Sequence, residues 1–301
     1  MSINNPIYAS WCISNNIGDA LTPWLIERIT GNIPMFVPYA VKFPKFMVSG
    51  SILNHAIEYT TVWGAGIAGR QDPIDKLCDI RSVRGPITAS HVRLKCGINI
   101  ETVGDPAWLM PLFFVPERTR REGFRQTYKV GICPHYLHQA EVSEWIGNMQ
   151  IKLLNVFSSP ETFVKEMRCC DVIYSSSLHG LIIADAYGIP SRWIECTAPL
   201  GGDGMKFYDH LIVRDCLCEK KIAVMEKLKL FVKYDEFHNN KSPNLNEPIK
   251  PIHLQQLPRD VDALRAAIIN MPIPLPEARH EIRNSLMSVC PFKPEPLKEN
   301  K

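Results

Sequence analysis

Residues 171–194 read DVIYSSSLHGLIIADAYGIPSRWI, and this stretch decides the fold class. An apolar run precedes a serine-rich turn, which leads into an apolar segment that stops at Gly188-Ile189-Pro190 before a second apolar run. The pattern predicts a strand over residues 171–174, a helix that opens in the serine-rich turn and ends at Gly188, and a strand over residues 192–194. Such alternation builds a mostly parallel sheet with helices on both faces.

The same alternation occurs twice along the chain, on either side of a basic, polar stretch over residues 116–126 that is typical of a linker. Before it, the first helix is expected over residues 21–30, closed by Gly31. The other predicted elements are strands over 7–11, 46–51, 61–66, 78–83, 129–133 and 151–156, and helices from Arg84-Gly85-Pro86 to about residue 94 and over 160–169. Two runs of this kind indicate two Rossmann-like halves.

We therefore expect an α/β protein of two Rossmann-like domains that face a cleft. The N-terminal domain spans residues 1–120 and the C-terminal domain residues 121–235, while residues 236–301 form a loop, a returning helix over 261–270 and a disordered tail from residue 290. Ligands in such folds bind beyond the carboxyl ends of the strands. Functional residues should therefore lie in strand-to-helix loops that border the cleft.

Composition excludes several functional classes. The 301 residues are 46% hydrophobic and 22% charged with a net charge of +3, which is too small to favour nucleic acid or a membrane surface as a partner. No apolar run reaches the ~20 residues of a membrane-spanning helix, although a peripheral membrane association stays open. The first residues do not show the pattern of a secretory leader, and the spacing of the ten cysteines is unlike that of zinc sites. We expect a cytoplasmic protein with reduced cysteines and without a metal site.

Four loops follow predicted strands in a characteristic order. The loops are Asn15-Asn16-Ile17-Gly18-Asp19, Trp63-Gly64-Ala65-Gly66, Arg81-Ser82-Val83-Arg84-Gly85-Pro86 with Gly104-Asp105-Pro106-Ala107, and Ser175-Ser176-Ser177-Leu178-His179-Gly180 with Gly188-Ile189-Pro190. Together they resemble the polysaccharide pyruvyltransferase family, especially its members from exopolysaccharide pathways, between about Trp11 and Tyr208.

The resemblance implies a fold similar to the two-domain glycosyltransferases of the GT-B type, with the first domain on the acceptor side and the second on the donor side. It also implies phosphoenolpyruvate as co-substrate, no further cofactor, and a pyruvyl ketal formed on a pair of sugar hydroxyl groups. Whether the saccharide acceptor is attached to a lipid is left open. The alternative is a nucleotide-sugar-dependent glycosyltransferase of the same architecture, and a third hypothesis is a binding protein that has lost catalysis.

The serine-rich loop is the strongest candidate site. The hydroxyl groups of Ser176 and Ser177 and the free amides of the helix suit phosphate oxygens. His179 is expected to transfer a proton near neutral pH or to donate to the phosphate. The alternative for His179 is a packing role, with its ring held by a neighbouring carbonyl.

Cationic residues are needed because phosphoenolpyruvate carries both a phosphate and a carboxylate. Arg84 lies where a strand turns into a helix and can pair bidentately with either group, and its alternative is a surface ion pair. The resemblance adds Arg192 and Lys206 as donor-binding candidates, although surface charges are the alternative at both positions.

The acceptor is expected to lie beside Asn16, Gly18 and Asp19. Asp19 is a candidate acid or base, with the N-cap of the first helix as its alternative role. His135, at the end of a second-half strand, is a candidate secondary histidine or a solvated loop residue. Asp105 is expected to brace a turn.

Overall fold

A computed structural model describes residues 6–14, 16–116, 128–218 and 250–292. It has two parallel five-stranded sheets, which confirms the predicted α/β class. The first sheet has the order β2-β1-β3-β4-β5 and the second β10-β9-β8-β6-β7. The strands are β1 Tyr8–Ala9, β2 Met35–Phe36, β3 Lys45–Met47, β4 Thr60–Trp63, β5 Asp79–Ser82, β6 Tyr128–Cys133, β7 Lys152–Leu153, β8 Cys170–Ser175, β9 Ser191–Glu195 and β10 Ile252–His253.

Nine α-helices occur in the described residues. They are α1 Ile17–Thr30, α2 Pro86–Cys96, α3 Met110–Phe113, α4 Gln139–Ile146, α5 Pro160–Met167, α6 Leu178–Tyr187, α7 Met205–Cys218, α8 Val261–Ile268 and α9 Pro276–Ser288. Short 3-10 turns lie at Leu53–His55, Pro106–Leu109, Tyr136–His138 and Leu254–Gln256. In this part of the chain, no helix is long and apolar enough to cross a membrane.

Local chemistry sets the ends of the helices. Helix α1 begins one turn earlier than predicted because the Asn16 side chain accepts hydrogen bonds from the amides of Gly18 and Asp19. It ends as predicted at Gly31, whose φ of 71° is left-handed. Helix α6 likewise runs from Ser177 to Gly188, whose φ is 70°.

The buried core is continuous between the two sheets. One hydrophobic cluster contains residues from both, including Val62 of β4 and Ile173 of β8. A smaller cluster lies on the other face of the second sheet, where Leu264 of α8 packs. The division into domains at residues 120 and 235, and the GT-B-like arrangement, stay predictions.

The C-terminal segment returns to the first half of the protein. The indole Nε1 of Trp63 donates to the carbonyl of Leu286 in α9 at 3.0 Å. Phe292 is buried and contacts the ring of Phe46, with centroids 4.7 Å apart. The prediction of disorder from residue 290 is therefore wrong as far as Phe292, because this aromatic ring fills a place in the core. Residues 293–301, and most of the predicted linker and loop, lie outside the described residues.

Candidate active site

A cavity of about 390 Å³ lies where the loops that follow β1, β3, β6 and β8 meet. This is the carboxyl edge of both sheets, as the topology predicted. It is lined by six of the predicted site residues, which come from both halves of the chain: Asn16, Asp19, His135, Ser177, His179 and Lys206.

The His179 imidazole is held on one side by the first half of the chain. Its Nε2 lies 3.0 Å from the Ser49 hydroxyl and 3.6 Å from a carboxylate oxygen of Asp105. The side chain is 11% exposed. Among the described residues, Nδ1 has no hydrogen-bond partner. The ring is thus buried and oriented through its Nε2 contacts.

Asp105 is fully buried behind His179. Burial raises the pKa of its carboxyl. The pKa nevertheless lies below the ordinary value, because the carboxylate is stabilised by the hydrogen bond and charge of His179, by the Ala107 amide and by the charge of Arg84. Its carboxylate accepts from the Ala107 amide at 2.9 Å, which is the turn brace expected from the sequence. Its second role beside His179 was missed, since nothing local to Gly104-Asp105-Pro106 indicates a partner 74 positions away in the chain.

Gly18 makes room for the imidazole. A Cβ atom at this position would lie 2.2 Å from His179 Nδ1 and 2.7 Å from Cε1. The backbone of α1 therefore packs directly on the ring, and any side chain at this position would displace the imidazole. Gly18, which was predicted to border the acceptor, therefore also contacts His179, the candidate proton-transfer group.

Asp19 faces the cavity from the first turn of α1. The alternative role as N-cap is wrong, because Asn16 caps the helix. The Asn16 amide donates to Asp19 Oδ2 at 2.7 Å, and the Ser14 hydroxyl donates to the same oxygen. Burial raises the pKa of Asp19 against the opposing effects of Ser14, His179, Cys12 and Asn16. A carboxyl with a raised pKa beside a histidine is typical of acid–base sites.

Lys206 supplies the positive charge of the cavity. It lies in the first turn of α7 and also lines an adjoining cavity of about 350 Å³, which contains Trp193 and Tyr208. Burial, followed by the charge of Arg84, lowers its pKa. His135 is neutral at pH 7, because burial, Lys206 and His138 lower its pKa to about 4.

Arg84 lies behind the cavity and not in its lining. Its guanidinium is fully buried and pairs with Asp209 at 3.0 Å. The other donors go to the Ile67 carbonyl at 2.7 Å and to the hydroxyl of Ser51, a cavity residue, at 2.8 Å. Asp209 in turn accepts from the amide of Ile87 at the start of α2, at 2.9 Å. The structure thus places Arg84 in a buried ion pair that joins α7 to α2.

The other two predicted donor contacts also lie outside the lining. The Ser176 hydroxyl accepts from the His135 amide and lies 2.9 Å from His138 Nδ1, so it braces the loop. Arg192 donates to the carbonyl of Lys250 at 2.7 Å. Ser177, by contrast, lines the cavity at the N-cap of α6. No group of three or more His, Cys, Asp or Glu side chains in the described ranges is arranged to hold a metal ion.

Comparisons with known proteins identify similar sequences. The family model for polysaccharide pyruvyl transferases matches residues 60–197, a range that includes Asp105 and His179 and excludes Asp19 and Lys206. The uncharacterized protein L143 of Acanthamoeba polyphaga mimivirus is 28% identical over 216 residues, which cover 69% of this chain and 74% of that protein.

The succinoglycan biosynthesis protein ExoV of Rhizobium meliloti (strain 1021) is 27% identical over 187 residues. That match covers 58% of this chain and 54% of the bacterial protein, about half its length. These matches confirm the resemblance indicated by the motifs: the chain is similar to the polysaccharide pyruvyl transferase family.

Proposed function

We propose that this chain transfers a pyruvyl group from phosphoenolpyruvate to two hydroxyl groups of a saccharide, in polysaccharide biosynthesis. The observation that carries the proposal is His179 at the N-terminus of α6, which pairs with the buried Asp105 and lines the same cavity as Lys206. The family match and the relative named for succinoglycan biosynthesis support pyruvyl transfer to a polysaccharide. Phosphoenolpyruvate as the donor, and a cytoplasmic location, are our proposals.

The reaction needs a proton, an electrophilic carbon and a leaving phosphate. The methylene carbon of phosphoenolpyruvate gains a proton, and a sugar hydroxyl adds to the adjacent carbon. Inorganic phosphate leaves by cleavage of the C–O bond, and the second hydroxyl adds to the same carbon. Of the two hydroxyl protons released, one balances the proton gained by the methyl group and the other leaves with phosphate.

We assign these tasks to separate groups. His179 delivers the proton, and the contacts of its Nε2 with Asp105 and Ser49 orient the ring. Lys206, Ser177 and the first amides of α6 bind the anionic groups of the donor. Asp19 accepts a proton from a sugar hydroxyl, since burial raises its pKa toward that of a useful base.

The alternative is a nucleotide-sugar-dependent glycosyltransferase. The adjoining cavity favours it, because Trp193 and Tyr208 offer an aromatic wall beside Lys206. The two functions differ in the ligand that the protein binds. A ligand at 100 times its dissociation constant stabilises a protein by about 2.7 kcal/mol, which is measurable as a rise in melting temperature.

The test measures melting temperature with phosphoenolpyruvate and with UDP-glucose. We expect phosphoenolpyruvate to raise it, and the rise to shrink with added salt because the site is charged. Phosphate release is then assayed with phosphoenolpyruvate and the methyl pyranosides of glucose, galactose and mannose, which all carry a 4,6-diol. A rise with UDP-glucose and none with phosphoenolpyruvate would refute the proposal.

A further inference from the structure

Helix α9 lies outside the residues that the family model matches, yet it packs against the turn that carries Asp105. A Cβ atom at Gly104 would lie 3.0 Å from Ile282 and 3.3 Å from Leu286, so both side chains touch the backbone beside Asp105. The Ser285 hydroxyl lies 3.3 Å from that of Thr102. The helix therefore buttresses the turn from behind.

Arg283 of α9 connects this turn to the helix that carries His179. Its Nε donates to the carbonyl of Trp108 at 2.9 Å, and its Nη2 donates to the carbonyl of Ala186 at 2.9 Å. Trp108 closes the 3-10 turn capped by Asp105, and Ala186 lies in the last turn of α6. One planar guanidinium thus holds both backbones.

The guanidinium of Arg283 is half-buried and faces backbone carbonyls. Burial, followed by the charge of Arg279, lowers its pKa. Within the described residues no carboxylate forms an ion pair with Arg283. Its charge is therefore balanced by carbonyl oxygens, one of them at the negative end of the α6 dipole.

We propose that Arg283 is a positioning residue, which fixes the turn of Asp105 against helix α6 so that the Asp105 carboxylate stays beside His179 Nε2. The inference rests on the proposed role of the His179–Asp105 pair. It assigns a task in catalysis to the C-terminal helix.

A double-mutant cycle tests the proposal in the full chain, with phosphate release from phosphoenolpyruvate and the three methyl pyranosides as the assay. Arg283→Met removes both donors and should lower kcat about tenfold with KM for phosphoenolpyruvate changed less than about twofold, since the loss is in positioning. In an Asp105→Asn background the same change should have no further effect on kcat.

Arg279→Met is the matched control. Arg279 lies one turn earlier on α9, packs against Gly188, and within the described residues donates its hydrogen bond to the Ala186 carbonyl, at 3.5 Å, and not to the turn of Asp105. Its loss should leave kcat within about twofold of the parent value. If Arg283→Met does not fold, Arg283→Lys replaces it in the cycle, because the lysine retains the charge and lacks the planar fork.

The imidazole NMR signal of His179, assigned by its loss in His179→Gln, gives a readout that needs no turnover. It should move in Arg283→Met and stay in place in Arg279→Met. An equal loss of kcat in both backgrounds, or an unmoved His179 signal, would overturn the inference. If the parent protein releases no phosphate with any pyranoside, the proposed function fails, while the NMR comparison still decides the role of Arg283.

Discussion

Gly18→Ala perturbs the candidate proton-transfer group without touching its chemistry. The new methyl group would lie 2.2 Å from Nδ1 of His179 and 2.9 Å from Cγ. Ordinary contacts between such atoms are about 3.5 Å, so the ring must move by roughly 1.3 Å. Its Nε2 then leaves the 3.0 Å contact with Ser49 and the 3.6 Å contact with Asp105.

Gly18→Ala should lower both kcat and the free energy of unfolding. A displacement of about 1 Å in a catalytic group costs on the order of 100-fold in rate, so kcat for phosphate release should fall by about that factor. Crowding of a buried site costs ~1–3 kcal/mol, and the higher helix propensity of alanine offsets up to ~1 kcal/mol of that cost. The net cost of up to ~3 kcal/mol should lower the melting temperature by no more than about ten degrees, so a fall in kcat on the order of 100-fold reports the displaced ring and not a loss of folded protein.

The assay combines steady-state phosphate release with thermal unfolding. Gly69→Ala is the control, because a Cβ atom there would meet its first neighbour at an ordinary 3.7 Å, outside the cavity. It should leave kcat within about twofold of the parent value. A folded Gly18→Ala protein with parental kcat would show that the position of the His179 ring does not matter for turnover.

Three further predictions follow from the contacts of the site. His179→Ala should lower kcat by roughly 100-fold or more with a near-parental melting temperature. His179→Gln should restore donor binding but not kcat, because glutamine can hydrogen-bond and cannot transfer a proton at neutral pH. Parental turnover in a folded His179→Ala protein would make Asp19 and His135 the candidates for proton transfer. Lys206→Met should raise KM for phosphoenolpyruvate. Because burial and the charge of Arg84 lower the pKa of Lys206, the parent protein should begin to lose donor affinity with rising pH before the ordinary lysine pKa of 10.5 is reached. A donor affinity that does not depend on pH, measured by titration calorimetry, would contradict this. Arg84→Met leaves Asp209 buried without its partner and should destabilise the fold by about 3–5 kcal/mol, while KM for phosphoenolpyruvate changes little. A tenfold rise in KM at a normal melting temperature would instead indicate that Arg84 binds the donor.

Local sequence pattern predicted eight of the ten strands of the described residues and the place where the loops converge, but it missed β2 and β10. The strand predicted over residues 129–133 is Tyr128–Cys133, and the helix predicted to end at Gly188 is Leu178–Tyr187. Because parallel strands direct their carboxyl ends to one edge, loops far apart in sequence were expected to share a cleft. Helices α3, α4, α7 and α9 were missed, although in α9 the buried Ala278, Ile282 and Leu286 recur every four residues.

The partners of buried charges could not be predicted in this way. Arg84 and Asp209 are 125 positions apart, and no local signal distinguishes a guanidinium aimed at a ligand from one aimed at a carboxylate. Both uses place an arginine at the end of a strand. The same limit hid the pairing of Asp105 with His179, because it depends on how the two sheets pack.

That packing has a consequence for catalysis. His179 belongs to the second sheet, while Gly18, Ser49 and Asp105, which hold its ring, belong to the first half of the chain. In the predicted two-domain architecture, opening of the cleft to admit a saccharide would separate the imidazole from the carboxylate. The oriented proton donor would then exist only when the halves are closed on both substrates and water is excluded. Such an arrangement would favour the proposed pyruvyl transfer to a sugar over hydrolysis of the donor.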